Sequence, residues 1–510
     1  MRRLRTLLLL VPLLLVGASA QAQASWSTPF DVTGADTVSW FPDIAIGPDS
    51  SVHIIWATGV ADPTNKQYGV QDLLGYRSQR NGIWSTPNNI ANPGGTTAAS
   101  RNSIVFGPDG RLHVLVRSEF RIDYTNAPWS DAWSARSWST PYSINGSGTP
   151  YYNAMAVDDY GVIHAIYTQA VPDDPAHPRT DCSGCSDLFY RQTRDFGAHW
   201  SDRVDLIPFS DGVNRPQIKI DRAKRIHIVW SEGFDFIVGK GKSKDGVYLR
   251  SDDEGRTWTQ PVRFSIADQP IQQMSITLTK QGDPFVVFRA VNDGRVYFQR
   301  SSDGGDNWGA LGEIPGVIAR DINDNNLDKY ALATDSANRV HLLMVGFHAG
   351  ETTAGISPRL LHLVWDGTHW SAPNDVMAND LYPEWPQLVI NAGNQLHAVW
   401  FTRHVYDLYG SEKGAHYQVW YSTLTTDAPA VAPPPTFTSV PTTVPTVLAT
   451  STPTPRPTPL PAPILAAPTT DGPPRWEQQG VVMMAMALLP TFGVLGLIIG
   501  GIIVVRRRHR

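Results

Sequence analysis

Residues 246–261 read GVYLRSDDEGRTWTQP. Val247, Tyr248, Leu249 and Arg250 have strand character and run into Ser251 and Asp253, whose short side chains bond their own backbone in turns. Gly255 supplies a backbone angle that bulkier residues resist, and Trp258 anchors the returning chain. The spacing S-x-D-x-G-x-x-W recurs at Ser301, Asp303, Gly305 and Trp308, and again, with Thr193 in the Ser place, at Asp195, Gly197 and Trp200.

A second signal precedes each of these octets. RIHIVW at Arg225–Trp230 returns as SVHIIW, RLHVLV, VIHAIY, RVHLLM and QLHAVW, with Phe285 of DPFVVF in the His place. The third residues stand at 53, 113, 164, 227, 285, 341 and 397, spaced by 51 to 63. Each follows a turn rich in Asp, Asn or Gly, and a further apolar run precedes that turn, which makes a hairpin. A period of this length with four short strands per unit predicts a β-propeller. A Trp that opens the outer strand appears seven times, at Trp26, Trp84, Trp138, Trp200, Trp258, Trp308 and Trp370. Trp26 precedes any His-bearing strand, and the last third strand, 417–424, has no such Trp motif after it. The expectation is an all-β, seven-bladed propeller over residues 25–427, with the N-terminal strand closing the last blade as velcro.

The octet resembles the Asp-box, or BNR repeat, of sialidase-like β-propellers. That resemblance implies a turn on the blade's outer side, so Ser251, Asp253, Gly255, Trp258 and their counterparts are structural. Sialidases are six-bladed; around the sugar they place three Arg on a carboxylate, a Tyr nucleophile assisted by Glu, and an Asp acid, usually with an early R-I-P. Here Arg121-Ile122-Asp123 lacks the Pro and Arg215-Pro216 lacks the Ile. No catalytic residue carries over. Other seven-bladed Asp-box propellers cleave polysaccharides with two Asp, or bind partners.

The ends of the chain have other compositions. Residues 1–24 read as a signal peptide: Arg2, Arg3 and Arg5, an apolar run Leu7–Val16 too short to span a bilayer, then A-x-A sites. Residues 428–478 read as a stalk, since 428–475 hold 15 Pro, 11 Thr and three charged residues. Such a chain buries no core, favours polyproline geometry and reaches roughly 150 Å at about 3.1 Å per residue. Residues 479–505 read as a transmembrane helix and 506–510 as a basic cytoplasmic tail, the positive-inside pattern. Gly496 and Gly500 reflect the small residues common in such helices. Seven of the 42 basic residues lie in the two ends, leaving 35 against 47 acidic between them, a net of −12. That balance argues against nucleic acid as a partner. The expected partners are the membrane, through the C-terminal helix, and a glycan or cell-surface protein.

Cys182 and Cys185 are the only cysteines; without a second pair a four-ligand zinc site is not expected, and in an exported chain a disulfide stapling a loop fits them. The repeated His lie one per blade and alternate with apolar residues, which reads as packing rather than as a metal site. No cofactor or metal is expected.

Ligand contacts are expected at the channel mouth. Starts of the first strands offer Trp40, Arg101, Tyr152, Arg215, Gln273, Tyr330 and Glu384-Trp385; ends of the second offer Arg117, Glu119, Gln169, Glu232, Arg289, His348 and Arg403. The candidates for an acidic sugar are Arg215, Arg289 and Arg403, with Tyr152, Tyr330, Glu232 and Glu384. Two functions stay open: a surface-displayed module binding glycans or proteins, and an exo-glycosidase of sialidase type or a related polysaccharide-cleaving hydrolase. Two carboxylates about 5–10 Å apart across one pocket favour hydrolysis; an aromatic mouth with scattered charge favours binding.

Overall fold

A computed structural model describes residues 25–34, 38–59, 72–92, 99–118, 120–179, 182–235, 240–320, 329–351, 356–378, 381–403 and 417–432. The expected signal peptide, the stalk from residue 433 on, the apolar segment, the basic tail and Glu119 lie outside them. Among the described residues no helix is long and apolar enough to cross a membrane.

Seven antiparallel sheets form the blades. Blade 1 opens with Val38–Ile46, Val52–Gly59 and Asp72–Arg80; blade 4 with Val213–Ile220, Ile226–Glu232 and Gly246–Ser251. The first strands touch one another in a ring that closes from Tyr382–Asn391 of blade 7 back to Val38–Ile46. Each hairpin turn and each octet lies at one end of the barrel-like ring, and the starts of the first strands lie at the other.

Blade 7 is closed by the N-terminus. Phe30–Asp31 pairs antiparallel with Gln418–Thr425, Phe30 opposite Tyr421. The Ser27 N–H donates to the Thr423 carbonyl at 2.8 Å, and Val32 N–H to Val419 at 2.8 Å. Deleting residues 25–32 removes this edge and the packing of Trp26 and Phe30. It is expected to lower the melting temperature by roughly 10 °C or more. A truncated chain that melts with the parent contradicts the closure.

The two sequence signals meet across blade boundaries. Within a blade, the second-strand His bonds a third-strand Tyr through Nδ1: His53–Tyr76 at 2.7 Å, His113–Tyr124 at 2.6 Å, His164–Tyr190 at 2.7 Å, His227–Tyr248 at 2.8 Å and His397–Tyr421 at 2.7 Å. Blade 6 uses His341–His362, and blade 5 stacks Phe285 on Phe298 at 5.4 Å. The outer-strand Trp of the next blade then packs on that third-strand ring. Trp138 meets Tyr76, Trp200 meets Tyr124, Trp258 meets Tyr190 and Trp308 meets Tyr248. Trp370 meets Phe298, Trp26 meets His362 and Trp84 meets Tyr421, which completes the circle.

In the octet the Ser251 hydroxyl donates to Asp253 at 2.9 Å and accepts the Gly255 N–H at 2.8 Å, while Asp253 accepts the Thr257 N–H at 2.8 Å. Thr193/Asp195/Gly197 and Ser301/Asp303/Gly305 repeat this. Gly197, Gly255 and Gly305 have positive φ, and the space of a Cβ at each is filled by the hydroxyl end of Tyr124, Tyr190 or Tyr248 from the preceding blade. The octet is thus a socket for the neighbouring blade's tyrosine.

Candidate functional site

At the end opposite the octets, six inner strands carry a bulge, two residues facing one. Phe41-Pro42 lies opposite Trp56, Arg215-Pro216 opposite Trp230, and Trp385-Pro386 opposite Trp400. Residues 100–101, 151–152 and 273–274 bulge likewise. Phe41, Arg101, Arg215, Gln273 and Trp385 adopt positive φ there, between 48° and 73°. Four of them are the first residue of their bulge and Arg101 is the second, so five non-glycine residues store backbone strain around one opening.

The residue after each bulge is polar in most blades and reaches a neighbour. Asp43 accepts the N–H groups of Ile44 and, from the next blade, Ile104, both at 2.9 Å. Asn102 donates to the Phe41 carbonyl at 3.1 Å, and Asn153 to that of Arg101 at 2.8 Å. Gln217 donates to Ser275 at 3.0 Å. Together they line an axial cavity of about 220 Å³.

Charged groups share that cavity. Among its described lining residues Asp43 is the only carboxylate, facing Lys219, Lys329 and Arg215. Burial pushes the Asp43 carboxyl up, opposed by Lys329 and the two N–H groups. Burial lowers Lys219, opposed by Asp43. Burial also brings Lys329 down to about 8, against the pull of Asp43 and with repulsion from Lys219 and Arg215. All three sit half-exposed to the cavity yet deep in the ring, so channel solvent only partly relieves the burial.

Above it stands an aromatic wall. Tyr152 and Trp385 stack at 6.4 Å, Tyr151 lies edge-on to Tyr152 at 4.7 Å, and Phe41 edge-on to Trp385 at 5.2 Å. The buried Arg101 guanidinium lies 4.2 Å from the Phe41 and Tyr151 ring centres. Arg117 covers Tyr151 at 5.0 Å, and the Lys329 ammonium lies 4.7 Å from the Trp385 ring. The half-buried Tyr151 is held by two cations and presented at the mouth.

The candidates from sequence take different places. Tyr152 and Arg215 line the cavity. Glu384 is fully buried and accepts from both Arg403 and Arg320 at 2.6 Å, a trio whose Arg320 the sequence did not single out. Glu232 is ion-paired with Arg263. Tyr330 is buried, and its carbonyl accepts from Ser275 at 2.9 Å. Arg289 is 1% exposed, and its guanidinium donates to the carbonyls of Ala290, Val291 and Arg320. The three arginines therefore do not converge on one ligand position: Arg215 lines the cavity, Arg403 pairs with Glu384, and Arg289 supports the backbone of Arg320, which pairs with the same Glu384. Arg289→Ala is expected to cost about 2–3 kcal/mol of stability by stranding these carbonyls, with no loss of binding at the mouth. Denaturant titration and ligand titration of the same variant separate the two effects.

Arg101 stood in the sequence ring, but Tyr151, Asp43, Lys219 and Lys329 did not. Gln217 and Lys219 alternate on one strand face, a period-two signal that was readable. Lys329 has no comparable sequence cue. Cys182 and Cys185 are disulfide-bonded, Cα to Cα 5.5 Å, beside the Phe234–Asp235 and Lys240–Gly241 hairpin. Among the described residues no three His, Cys, Asp or Glu converge as metal ligands.

No protein-family profile and no curated protein matches the sequence. Solved structures do. A protein of unknown function from Dyadobacter fermentans is 13% identical, with a TM-score of 0.50 over 79% of this chain and 99% of that one. A polysaccharide lyase, an ulvan lyase bound to -[GlcA(1-4)Rha3S]-, is 12% identical, with a TM-score of 0.53 over 80% and 97%. The NanB sialidase from Streptococcus pneumoniae is 12% identical over 80% and 71%, at a TM-score of 0.43 that is too low to argue from. At these identities the likeness is one of fold: the chain is a seven-bladed β-propeller.

Proposed function

We propose that this sialidase-like propeller is a glycan-binding module, displayed outside the cytoplasm on its Pro/Thr-rich stalk and held to the membrane by residues 479–505. The observation that carries the binding reading is the mouth: the Tyr151 ring, clamped between Arg101 and Arg117, beside the Tyr152–Trp385 stack. Tyr152 and Trp385 are buried and form a rigid backing, and the partly exposed Tyr151 ring with the polar groups around it suits a sugar's alternating apolar and hydroxylated surface. The hydrolase reading needs a second carboxylate facing Asp43, and among the described residues the cavity lining supplies none. A glycan array probed with the purified chain tests the reading. The expected result is selective capture of glycans, lost in Tyr151→Ala, with no release of cleaved sugar. Turnover of any captured glycan would favour the hydrolase, and an array without capture would favour a protein partner. Protease added to intact cells is expected to release the propeller by cutting within residues 433–475; full protection until permeabilisation contradicts the display.

A further inference from the structure

We propose that the axial cavity beneath the mouth is a binding site for a tetrahedral oxyanion, sulfate or phosphate, either free or as an ester on a larger ligand. The charge count comes first. Among the described lining residues Lys219, Lys329 and Arg215 stand with one carboxylate, Asp43, and the two ammonium groups already outnumber it. A bound anion offsets that excess, a free dianion or a phosphate monoester more fully than a sulfate monoester, which carries a single charge. The surrounding ectodomain has the opposite sign, with a net of −12 over residues 25–505.

The donors come second. Neither Lys219 nor Lys329 has a hydrogen-bond or ion-pair partner within bonding distance among the described residues; Lys329 is held only against the Trp385 face. Asp43 makes no hydrogen bond or ion pair with either among the described residues; it accepts the Ile44 and Ile104 N–H groups and attracts the two ammonium groups from a distance. Arg101, 3% exposed, lies 5.6 Å from the centre of the same Trp385 ring, and its Nε and Nη2 have no hydrogen-bond partner among the described residues. Partly desolvated ammonium groups that share a single carboxylate are costly, and a ligand anion completes such a cluster. The two ammonium groups are the direct ligands; Arg215 and Arg101 raise the local potential. The site lies below the sugar-binding surface proposed above and stands without it.

Calorimetry on the full chain in detergent tests this, with sodium sulfate or phosphate titrated at ionic strength held constant by chloride. Saturable one-to-one binding is expected. Lys219→Met with Lys329→Met should weaken it more than roughly tenfold, while the double variant melts no lower than the parent in sulfate-free buffer, since it removes unpaired charge. Asp43→Asn changes the count in the other direction and should tighten binding. Failure of both ions to bind saturably, or equal affinity in parent and double variant, overturns the site. A sulfated disaccharide and its desulfated counterpart then separate the sources. Tighter binding of the sulfated sugar than of free sulfate assigns a ligand-borne group, and equal binding assigns the free ion. Capture of the desulfated sugar without any sulfate binding defeats this inference and leaves the glycan reading intact.

Discussion

Acidification from pH 7 to pH 5 is expected to destabilise the propeller by on the order of 5 kcal/mol. The cause is the histidine in the repeated His–Tyr pair. Burial holds His53 at about 3, His164 at about 4 and His397 at about 4, and burial with the neighbouring His341 holds His362 at about 3. Each lies below the ordinary value of 6.5, so the folded chain keeps these rings neutral while the unfolded chain protonates them. Their stabilisation is complete above 6.5 and is lost as pH falls toward 4 and 3. By pH 5 each contributes a loss of about 2 kcal/mol. Asp187 works in the other direction: burial and the nearby Asp205 raise it to about 7, so acid relieves it and offsets about one histidine. Melting curves at pH 7 and pH 5 give the slope. His164→Phe with Tyr190→Phe, copying the Phe285–Phe298 pair of blade 5, should flatten it. Equal melting temperatures at the two pH values would refute the role given to these rings.

Gly255→Ala is expected to cost about 3–5 kcal/mol. The residue has φ +85°, where an alanine is strained, and the added Cβ meets the Tyr190 hydroxyl. Tyr190 is fully buried and bonded to His164, so it has no free rotamer to retreat to. Gly367, with φ +105° and open space around a Cβ, is the control: its alanine variant keeps the strain term alone, about 1–2 kcal/mol. Denaturant midpoints at unchanged m-value measure both. Equal losses at the two positions would mean that the socket contributes nothing.

These two results bear on what the sequence made legible. Blade number and velcro closure were readable because His, Trp and the octet recur at fixed places in the repeat, and each turns out to touch another: His to Tyr, Tyr to the next octet, Trp to the same Tyr. The tyrosines passed unnoticed because they lie in strands where any aromatic fits the alternation. The mouth was less legible for a physical reason. At a bulge two residues oppose one, so the alternation that assigns a side chain to a face changes phase there. Arg101, Tyr152 and Arg215 were still named, since they sit on the bulges. Arg289, at the end of a second strand as expected, turns its side chain into the wall between blades and spends its donors on carbonyls, which spacing alone does not reveal. Lys329 follows residues 321–328, which carry no repeat.

The division of labour between the two ends is the central claim: octets hold the blades at one end, and the bulged mouth binds ligand at the other. Hydrogen exchange of the full chain with and without a glycan taken from the array tests it directly. Protection is predicted in peptides covering 99–103, 150–153 and 382–388, at the mouth. Protection centred on residues 251–258 and 301–308, with the mouth unchanged, would contradict it.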